Sequence, residues 1–320
     1  MNYKPILIVA GEPNSIFFEI FFKSLKNNRF KSPLILIASK DLLLNHMGLL
    51  GFNFKINTLS ENFNNHSRLD NKNINIIDIK YNFKKTLDII SNKSNKYITK
   101  CFAVALKLLK KKDYFKLING PVSKKNFLQG KYFGITEYLA KKTKCSNVAM
   151  LIYNKNLSVS PLTTHLPLKD VHKNLSKIKI ITHVKLISNF YKNRLKQKTK
   201  IAITGLNPHC ESNFKNSEES TIITPTIKNL KAKNFKVEGP FPADTIFMQK
   251  NLRKFNVIIG MYHDQVLTPM KALFGFDAIN ITLGLPFIRV SPDHGPNSSM
   301  LGKNLSDPKS LIEALKFLDK

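Results

Sequence analysis

The feature that most constrains the fold is the alternation of short apolar, β-branched runs with longer amphipathic stretches along the chain. This alternation predicts an α/β fold with a largely parallel or mixed sheet. The predicted strands are residues 4–11, 33–39, 73–79, 116–122, 147–154, 200–206, 256–263 and 279–286. The predicted helices are residues 15–26, 97–111, 168–191 and 310–320. Residues 55–98 are polar and rich in Asn and Lys, and we expect a surface excursion around a single strand there.

Chain length and cysteine content limit the kinds of protein that this sequence can form. A chain of 320 residues is longer than a single core usually supports, so two lobes are expected. Cys101, Cys145 and Cys210 lie far apart without a CxxC pair, which argues against a disulfide scaffold and fits a reducing compartment. The N-terminus lacks a signal-peptide core, and the apolar stretch 15–25 is short and carries Glu19. We therefore expect a cytoplasmic protein that does not associate with a membrane.

The net charge of +30 at pH 7 has two interpretations. A basic chain can bind a phosphate-bearing partner, which keeps a nucleic-acid-binding protein open as an alternative from another functional class. The lysines are, however, spread through segments such as SNKSNK and KNRLKQKTK, and no Arg-rich stripe or aromatic-interleaved patch stands out. The favoured interpretation is a compositional bias at solvated faces, with no specific nucleic-acid partner.

Histidines follow several predicted strands. His165 comes after LSVSPL (157–162), His209 after the strand at 200–206, and His263 ends the strand at 256–263. Ligands of open α/β sheets bind beyond the carboxyl ends of strands, and imidazoles are common ligands of Zn²⁺ and related ions. Three protein ligands would leave positions open for a substrate, as in catalytic metal sites. Spacing alone leaves this site open, because the histidines are scattered. Surface or packing roles are expected for His46, His66, His172 and His183.

Other polar residues near these strand ends also have two interpretations. Asp244 follows Pro242 in FPADTIF, a pattern that predicts a helix N-cap and equally allows a catalytic carboxylate. Lys271, Asn280 and Arg289 come later, and the two cations can bind phosphate or carboxylate or be ordinary surface charges. GxGxxG, P-loop and GxSxG motifs are absent from the sequence, which argues against the standard dinucleotide fingerprint, P-loop NTPases and α/β-hydrolases.

Short motifs rich in Gly, Pro, His and Asp follow one another along most of the chain. They are GEP (11–13), GPV (120–122), TTHLPL (163–168), GLNPH (205–209), GPFPADT (239–245), MYHDQ (261–265) and NITLGLPFIRVSPDHG (280–295). In this order they closely resemble the motifs of the 4-hydroxythreonine-4-phosphate dehydrogenase family, NAD(P)-dependent enzymes of pyridoxal 5′-phosphate biosynthesis.

This resemblance implies an isocitrate/isopropylmalate-dehydrogenase-like fold, with two α/β lobes flanking an active-site cleft. Residues 1–122 and 245–320 are expected to form the first lobe, and residues 123–244 the second lobe with the dimer contacts. Homodimers with shared active sites are typical of the family, which has no specific nucleic-acid partner.

The resemblance also implies the site residues. Its metal ligands fall on His165, His209 and His263, with His263 supplied by the partner subunit. The implied cofactors are NAD or NADP and one divalent cation, Zn²⁺, Mg²⁺ or Co²⁺. The implied substrate-binding residues are Thr136, Lys271, Asn280 and Arg289. Lys271 and Asp244 are the catalytic candidates, Lys271 for neutralising substrate charge and Asp244 for proton handling or ligand orientation.

The expected reaction is oxidation of 4-phosphooxy-L-threonine to a β-keto acid, which then loses CO₂. One departure from the family bears on the substrate: residues 134–137 read GITE, so Ile135 replaces a substrate-contacting histidine. The opening GEPNSIF and the loop CESNFKNSEE (210–219) also lack family glycines. A dehydrogenase of another phosphorylated four-carbon hydroxy acid therefore remains an alternative. Phosphate acyltransfer is disfavoured, because it would leave the strand-end histidines without a purpose.

Overall fold

Strands and helices alternate from the first residues of the computed structural model, which describes residues 3–63, 69–210, 216–275 and 277–319. The strands are β1 (Ile6–Val9), β2 (Leu34–Ala38), β3 (Ile56–Leu59), β4 (Ile74–Asp78), β5 (Lys116–Asn119), β6 (Ala149–Tyr153), β7 (Ser158–Thr163), β8 (Ile201–Thr204), β9 (Val237–Phe241), β10 (Val257–Tyr262), β11 (Ile279–Leu283) and β12 (Ile288–Pro292). The helices are α1 (Phe17–Lys26), α2 (Lys40–Leu49), α3 (Asn95–Leu108), α4 (Ile135–Thr143), α5 (Lys177–Phe190), α6 (Thr224–Ala232), α7 (Ala243–Ile246), α8 (Gln249–Leu252), α9 (His263–Phe274) and α10 (Lys309–Leu318).

The chain divides into two units. Unit 1 combines Met1–Ile135 with Pro286–Lys320, and unit 2 is Thr136–Leu285. The sequence-based boundaries differ from this division, since they placed residues 245–285 in the first lobe. These residues include β10 and β11, which pair with strands of unit 2. The unit to which these residues belong depends on hydrogen bonds between strands, and the sequence does not show which strands pair.

Unit 1 contains a parallel sheet in the order β3-β4-β2-β1-β5-β12. Its central strands β1 and β2 are buried along their whole length, as expected for parallel strands covered on both faces. The aromatic residues of α1 pack in the core, where Phe17, Phe21 and Phe22 are at most 1% exposed. An apolar helix face of this size accounts for the burial of Phe17–Phe22, the first six residues of α1.

Unit 2 contains the strands β11-β6-β7-β10-β8-β9 in that order. β7, β10, β8 and β9 run parallel to one another, and β6 is antiparallel to both of its neighbours. The carboxyl ends of β7, β10 and β8 therefore meet at one edge of this sheet. The apolar core of the unit includes Val159, Ile258 and Val266.

Several predicted elements differ from the observed ones. The region 55–98 contains two strands, β3 and β4, rather than one, because the short INTL segment pairs with β4. The helix predicted from residue 168 begins only at Lys177, where the Ser176 side chain caps it by accepting a hydrogen bond from the Lys179 amide. Helices α2, α4, α6 and α9 and strand β9 were not predicted.

The strand predicted at 279–286 is shorter than expected, and a second strand that was not predicted follows it. β11 ends at Leu283, and β12 begins at Ile288 in the other unit. Gly284 has φ +90° between them, in the left-handed region that favours glycine. The turn at this glycine separates the two strands.

Among the described residues, no helix combines enough length with enough apolar character to cross a bilayer.

Candidate functional site

Two of the strand-end histidines lie side by side in unit 2. β7 and β10 are paired in parallel with Thr163 opposite Tyr262. His263 follows Tyr262 directly, and His165 lies two residues beyond Thr163. Their imidazole ring centroids are 5.6 Å apart with an interplanar angle of 37°. The parallel pairing of these strands accounts for the proximity of two residues almost a hundred positions apart.

Asp264 orients one of these imidazoles. His263 is the first residue of α9, and its Nδ1 lies 2.7 Å from Asp264 Oδ1. A carboxylate accepts the Nδ1–H of a neutral imidazole, which leaves Nε2 with a lone pair for a ligand. From the sequence alone, Asp264 could orient His263 or a neighbouring ligand, or cap the following turn, with the turn cap slightly favoured. Its carboxylate contacts the imidazole, and the helix cap position is held by Tyr262.

The other two histidine-bearing turns have unusual backbone geometry. His165 has φ +53°, and His209 and Cys210 each have φ +58°. Non-glycine residues seldom occupy this left-handed region, although histidine is enriched there several-fold. Such conformations cluster at functional sites, where the surrounding structure holds them in place. The strained turns after β7 and β8 are thus consistent with a functional role for both histidines.

A buried carboxylate holds the loop that carries His209. Glu219 Oε1 accepts hydrogen bonds from the amides of Leu206 and Asn207, both at 2.8 Å, and its Oε2 accepts one from Asn207 Nδ2 at 2.9 Å. Burial alone would raise the pKa of Glu219, but the hydrogen bonds from Asn207 and Leu206 outweigh it and lower the pKa below its usual 4.5. Sequence reasoning missed Glu219, because nothing in its neighbours marks it as a loop anchor.

The two adjacent imidazoles fit a shared metal ion. Two imidazoles that ligate one Zn²⁺ at about 2.1 Å and a near-tetrahedral angle have ring centres roughly 5 Å apart, close to the observed separation of His165 and His263. Within the part of the chain that the structure describes, no three His, Cys, Asp or Glu side chains are grouped closely enough to hold an ion. His209 therefore does not join the pair in the single chain.

Unit 2 also contains three of the predicted substrate-binding residues. Thr136 is buried in the first turn of α4, with its Oγ1 at 3.2 Å from Thr282 Oγ1. Asn280 lies on β11, and its buried Oδ1 has no hydrogen-bond partner among the described residues. Lys271 is half-buried in the last turn of α9. Ile135, which replaces the family histidine, is the first residue of α4 and is half-buried.

A further contact links α4 to the histidine pair. Thr164 Oγ1 donates to Glu137 Oε1 at 3.2 Å, and Thr164 directly precedes His165. Thr136 and Glu137, adjacent on α4, therefore connect β11 and the turn after β7 through side-chain contacts. The motif GITE was recognised as substrate-related, but the contact of its glutamate could not be read from the sequence.

Arg289 belongs to unit 1 and is described there by itself. It lies on β12 opposite Leu117 of β5, is 1% exposed, and donates from Nε to Asn119 Oδ1 at 2.7 Å. A buried guanidinium needs such partners, since desolvating its charge is costly. The strand end of β1 in the same unit has a buried carboxylate, Glu12, whose pKa is raised by burial despite hydrogen bonds from Asn14 and Ser94.

The predicted cap at Asp244 is wrong. Pro242 occupies the N-cap position of α7, and Asp244 is an exposed residue of the first helical turn. A carboxylate in the first turn is favourable there because it faces the positive end of the helix dipole, so the acidic residue is explained without capping. The unusual loop after GLNPH lies partly at residues 211–215, outside the described residues.

His46, His172 and His183 lie at packing or surface positions, as predicted. His46 on α2 and His183 on α5 are buried, and His172 is exposed. His66 lies outside the described residues. Burial lowers the pKa of both buried imidazoles to about 4.

Residues 29–318 match the model of the family described as pyridoxal phosphate biosynthetic protein PdxA. This chain belongs to the PdxA family.

Similar proteins of this family cover nearly the whole chain. The 4-hydroxythreonine-4-phosphate dehydrogenase of Sulfurihydrogenibium sp. (strain YO3AOP1) is 37% identical over 317 residues, which are 98% of this chain and 96% of that protein. The enzyme of the same name from Wigglesworthia glossinidia brevipalpis is 34% identical over 320 residues, which are 98% of this chain and 95% of that protein. A solved 4-hydroxythreonine-4-phosphate dehydrogenase from Klebsiella pneumoniae has a TM-score of 0.82, 26% identity and 98% coverage of both chains. The isocitrate/isopropylmalate-dehydrogenase-like fold of the PdxA family is thereby confirmed.

Proposed function

We propose that this PdxA-family chain is an NAD(P)-dependent and divalent-metal-dependent 4-hydroxythreonine-4-phosphate dehydrogenase. In this reaction C3 of 4-phosphooxy-L-threonine loses a hydride to NAD(P)⁺ and its hydroxyl loses a proton, which gives 2-amino-3-oxo-4-(phosphooxy)butanoate. The bond from C2 to the carboxylate then breaks, and loss of CO₂ with uptake of a proton gives 3-amino-2-oxopropyl phosphate. The names of the full-length relatives support this assignment. The observation that carries the site is the 5.6 Å pair of His165 and His263 at the ends of neighbouring strands.

The donor set suits a divalent cation. His165 and His263 would hold it, with Nε2 of His263 as the donor because Nδ1 faces Asp264, and His209 would complete a three-histidine site. A cation bound there would supply Lewis acidity that lowers the pKa of the substrate hydroxyl. The Asp264 carboxylate makes the His263 imidazole a better donor and limits its rotation.

The remaining candidates would bind the anionic substrate. Lys271 on α9 and Arg289 on β12 are cations suited to phosphate or carboxylate, and Arg289 is already held by its bond to Asn119. The buried Oδ1 of Asn280 can accept a hydrogen bond from the substrate amine or hydroxyl. Thr136 can contact the substrate through its hydroxyl. Asp244 is a candidate for moving the hydroxyl proton, because its exposed carboxylate can exchange protons with water.

The decisive assay follows NADH or NADPH formation from 4-phosphooxy-L-threonine. EDTA and His165→Ala should each abolish turnover, whereas His172→Ala, at an exposed histidine on the same unit, should leave it unchanged. Restoring activity with Zn²⁺, Mg²⁺ or Co²⁺ after dialysis would identify the competent ion. Turnover that persists in EDTA and in His165→Ala would refute the metal-dependent reaction.

Ile135 favours one second candidate, oxidation of another phosphorylated four-carbon hydroxy acid. The family histidine is replaced by an apolar side chain at the start of α4, so a hydrogen bond worth about 1–3 kcal/mol is lost if that contact is charged. A panel of four-carbon hydroxy-acid phosphates in the same assay separates the candidates. A kcat/KM that is highest for a substrate other than 4-phosphooxy-L-threonine would favour the second one, and Ile135→His should then shift the preference back.

A further inference from the structure

A chain of hydrogen bonds joins the three strand ends that carry the histidines. Thr163 Oγ1 at the end of β7 donates to Met261 O of β10 at 2.7 Å. Met261 N donates to Gln265 Oε1 at 2.7 Å, and the same oxygen accepts from Thr204 Oγ1 of β8 at 2.8 Å. We call these residues, together with Gly205, the strand-end bridge.

Gln265 is the centre of this bridge. It is the third residue of α9 and is 9% exposed. Its Nε2 donates to Gly205 O at 2.8 Å, so one amide side chain contacts β10, the last residue of β8 and the loop that begins after β8. The amide oxygen and nitrogen of Gln265 thus bind Met261, which lies two residues before His263, and Thr204 and Gly205, which precede the turn with His209.

A glycine in β10 allows the first turn of α9, including Val266 and Gln265, to lie close to this strand. Gly260 leaves no room for a Cβ, which would lie 3.1 Å from Gln265 Oε1 and closer still to Val266 Cγ1. A glycine on a buried strand loses packing and costs conformational entropy. The close approach of Val266, with Gln265 next to it, gives this glycine a structural reason that is independent of the hydrogen bonds.

We propose that Gln265 is a positioning residue of the active site: it fixes the distances between the segments that carry His165, His209 and His263. The inference rests on the proposed function, in which these histidines hold the metal ion. Gln265 does not touch the ion or the substrate in this proposal. It acts through Met261 on the start of α9, and through Gly205 on the loop that leads to His209.

Amide and hydroxyl groups suit this task better than ion pairs. The bridge has no net charge, so its hydrogen bonds are maintained over the whole pH range in which the imidazoles bind a metal. Buried and fully connected polar networks of this kind impose one arrangement on the groups they join. Changes to residues that support metal ligands typically weaken metal affinity by about 10–100-fold.

The test uses Gln265→Met, which preserves length and removes every hydrogen bond of the side chain. We expect Co²⁺ affinity, measured by titration of the metal-free protein, to fall by about tenfold or more. The visible spectrum of the Co²⁺ protein should change as its coordination changes. Gln265→Glu retains the acceptor contacts, and Thr204→Val removes a single donor. The Co²⁺ affinity of both variants should therefore lie between that of wild type and that of Gln265→Met.

Tyr191→Phe is the matched control. It removes a buried hydrogen bond of 3.0 Å to Ser158 at the amino-terminal end of β7, in the same unit. We expect it to lower Tm without changing Co²⁺ affinity, the Co²⁺ spectrum or kcat. A folded Gln265→Met protein with Co²⁺ affinity and spectrum equal to those of Tyr191→Phe would overturn the proposal. If Gln265→Met fails to fold, the same comparison applies to Thr204→Val.

A second readout separates this inference from the proposed function. In the metal-free protein, the imidazole NMR signals of His209 and His263 should move in Gln265→Met and remain in place in Tyr191→Phe. If His165→Ala leaves Co²⁺ affinity unchanged, the proposed metal site is wrong, and the imidazole signals alone then decide whether Gln265 positions these segments. Unmoved signals in Gln265→Met would refute the positioning role.

Discussion

His46 is a buried imidazole of α2 whose neutral form is favoured by the fold. Its ring centroid lies 5.1 Å from that of Phe18, and its Nε2 has no hydrogen-bond partner among the described residues. Burial lowers its pKa to about 4, against a hydrogen bond that the imidazole donates to the backbone of Thr86 and the charge of Glu19, which both act to raise the pKa. His183 on α5 has a similar pKa, again because of burial.

This difference in pKa predicts a loss of stability in acid. Between pH 6.5 and about 4 the unfolded chain binds more protons at His46 than the folded chain, so the free energy of unfolding falls as the pH drops through this window. The full difference amounts to roughly 3 kcal/mol per histidine. Urea denaturation of His46→Leu at several pH values should show a smaller loss across the window than wild type.

The exposed His172 supplies the control for this measurement. His172→Leu should preserve the wild-type pH dependence of the unfolding free energy, because the His172 side chain is exposed in the folded protein. If the unfolding free energy of His46→Leu falls with pH as steeply as that of wild type, His46 is not the origin of the acid destabilisation.

Residue identity predicted some of these roles and missed others. The histidines after β7, β8 and β10 were found because histidine is not needed for turns, so its presence at three strand ends is a chemical signal. Glu219, Gln265 and Glu137 carry no such signal. Their contacts depend on which loops and helices the sheet brings together, and that information is absent from their immediate sequence.

The loop after β8 is the element whose geometry matters most for His209. A Cβ on Gly205 would lie 2.7 Å from Cys210 Sγ and 2.9 Å from Glu219 Oε1. Neither atom can yield easily, because Glu219 is held by three hydrogen bonds and Cys210 lies in a left-handed conformation. The loop therefore tolerates only glycine at this position.

Gly205→Ala should accordingly displace the loop. We expect a destabilisation of about 1–3 kcal/mol from overpacking and a fall in kcat/KM under metal-saturating conditions. Gly48→Ala on α2 is the control, since a Cβ there meets nothing within 4 Å. It should raise the free energy of unfolding by about 0.5–1 kcal/mol, because alanine is the better helix former. Equal stability and activity of the two variants would contradict the role of Gly205.

Strands with uniform apolar character could be predicted from the sequence. Strands and helices that form only because they pair with or pack on neighbouring elements could not. β1, β2 and β10 are continuous apolar runs, and their existence was predicted from composition alone. β9 contains Gly and Pro, and α9 contains Pro269, so local propensity opposes both. Pairing with β8 and packing on β7 and β10 override that propensity.

At the scale of the molecule, the arrangement to test is whether one chain or two chains supply the histidines of one metal site. The resemblance implies that His263 comes from the partner subunit, whereas His165 and His263 of one chain are already adjacent. Mixing inactive His165→Ala and His263→Ala proteins distinguishes these arrangements. If the two ligands belong to different chains, mixed dimers regain up to one intact site and part of the activity.

If both ligands belong to one chain, mixing restores nothing. The 5.6 Å separation favours this second outcome for His165 and His263. A parallel mixture of His165→Ala with His209→Ala then reports whether His209 reaches the site from the partner, and analytical ultracentrifugation verifies that dimers form and exchange. Restored activity for His165→Ala with His263→Ala would contradict the single-chain pair.

Unit 1 is built from two stretches of chain that are separated by the whole of unit 2. During synthesis, residues 136–285 are all available before β12 and α10 have been made, so unit 2 can complete its sheet first. Until residues 288–318 emerge from the ribosome, β5 lacks its neighbour β12 and the core lacks Leu311 and Leu315 of α10. The amino-terminal part of unit 1, Met1–Ile135, therefore stays incompletely covered until the last segment of the chain is made. A truncated product would expose an unpaired strand edge, which favours aggregation.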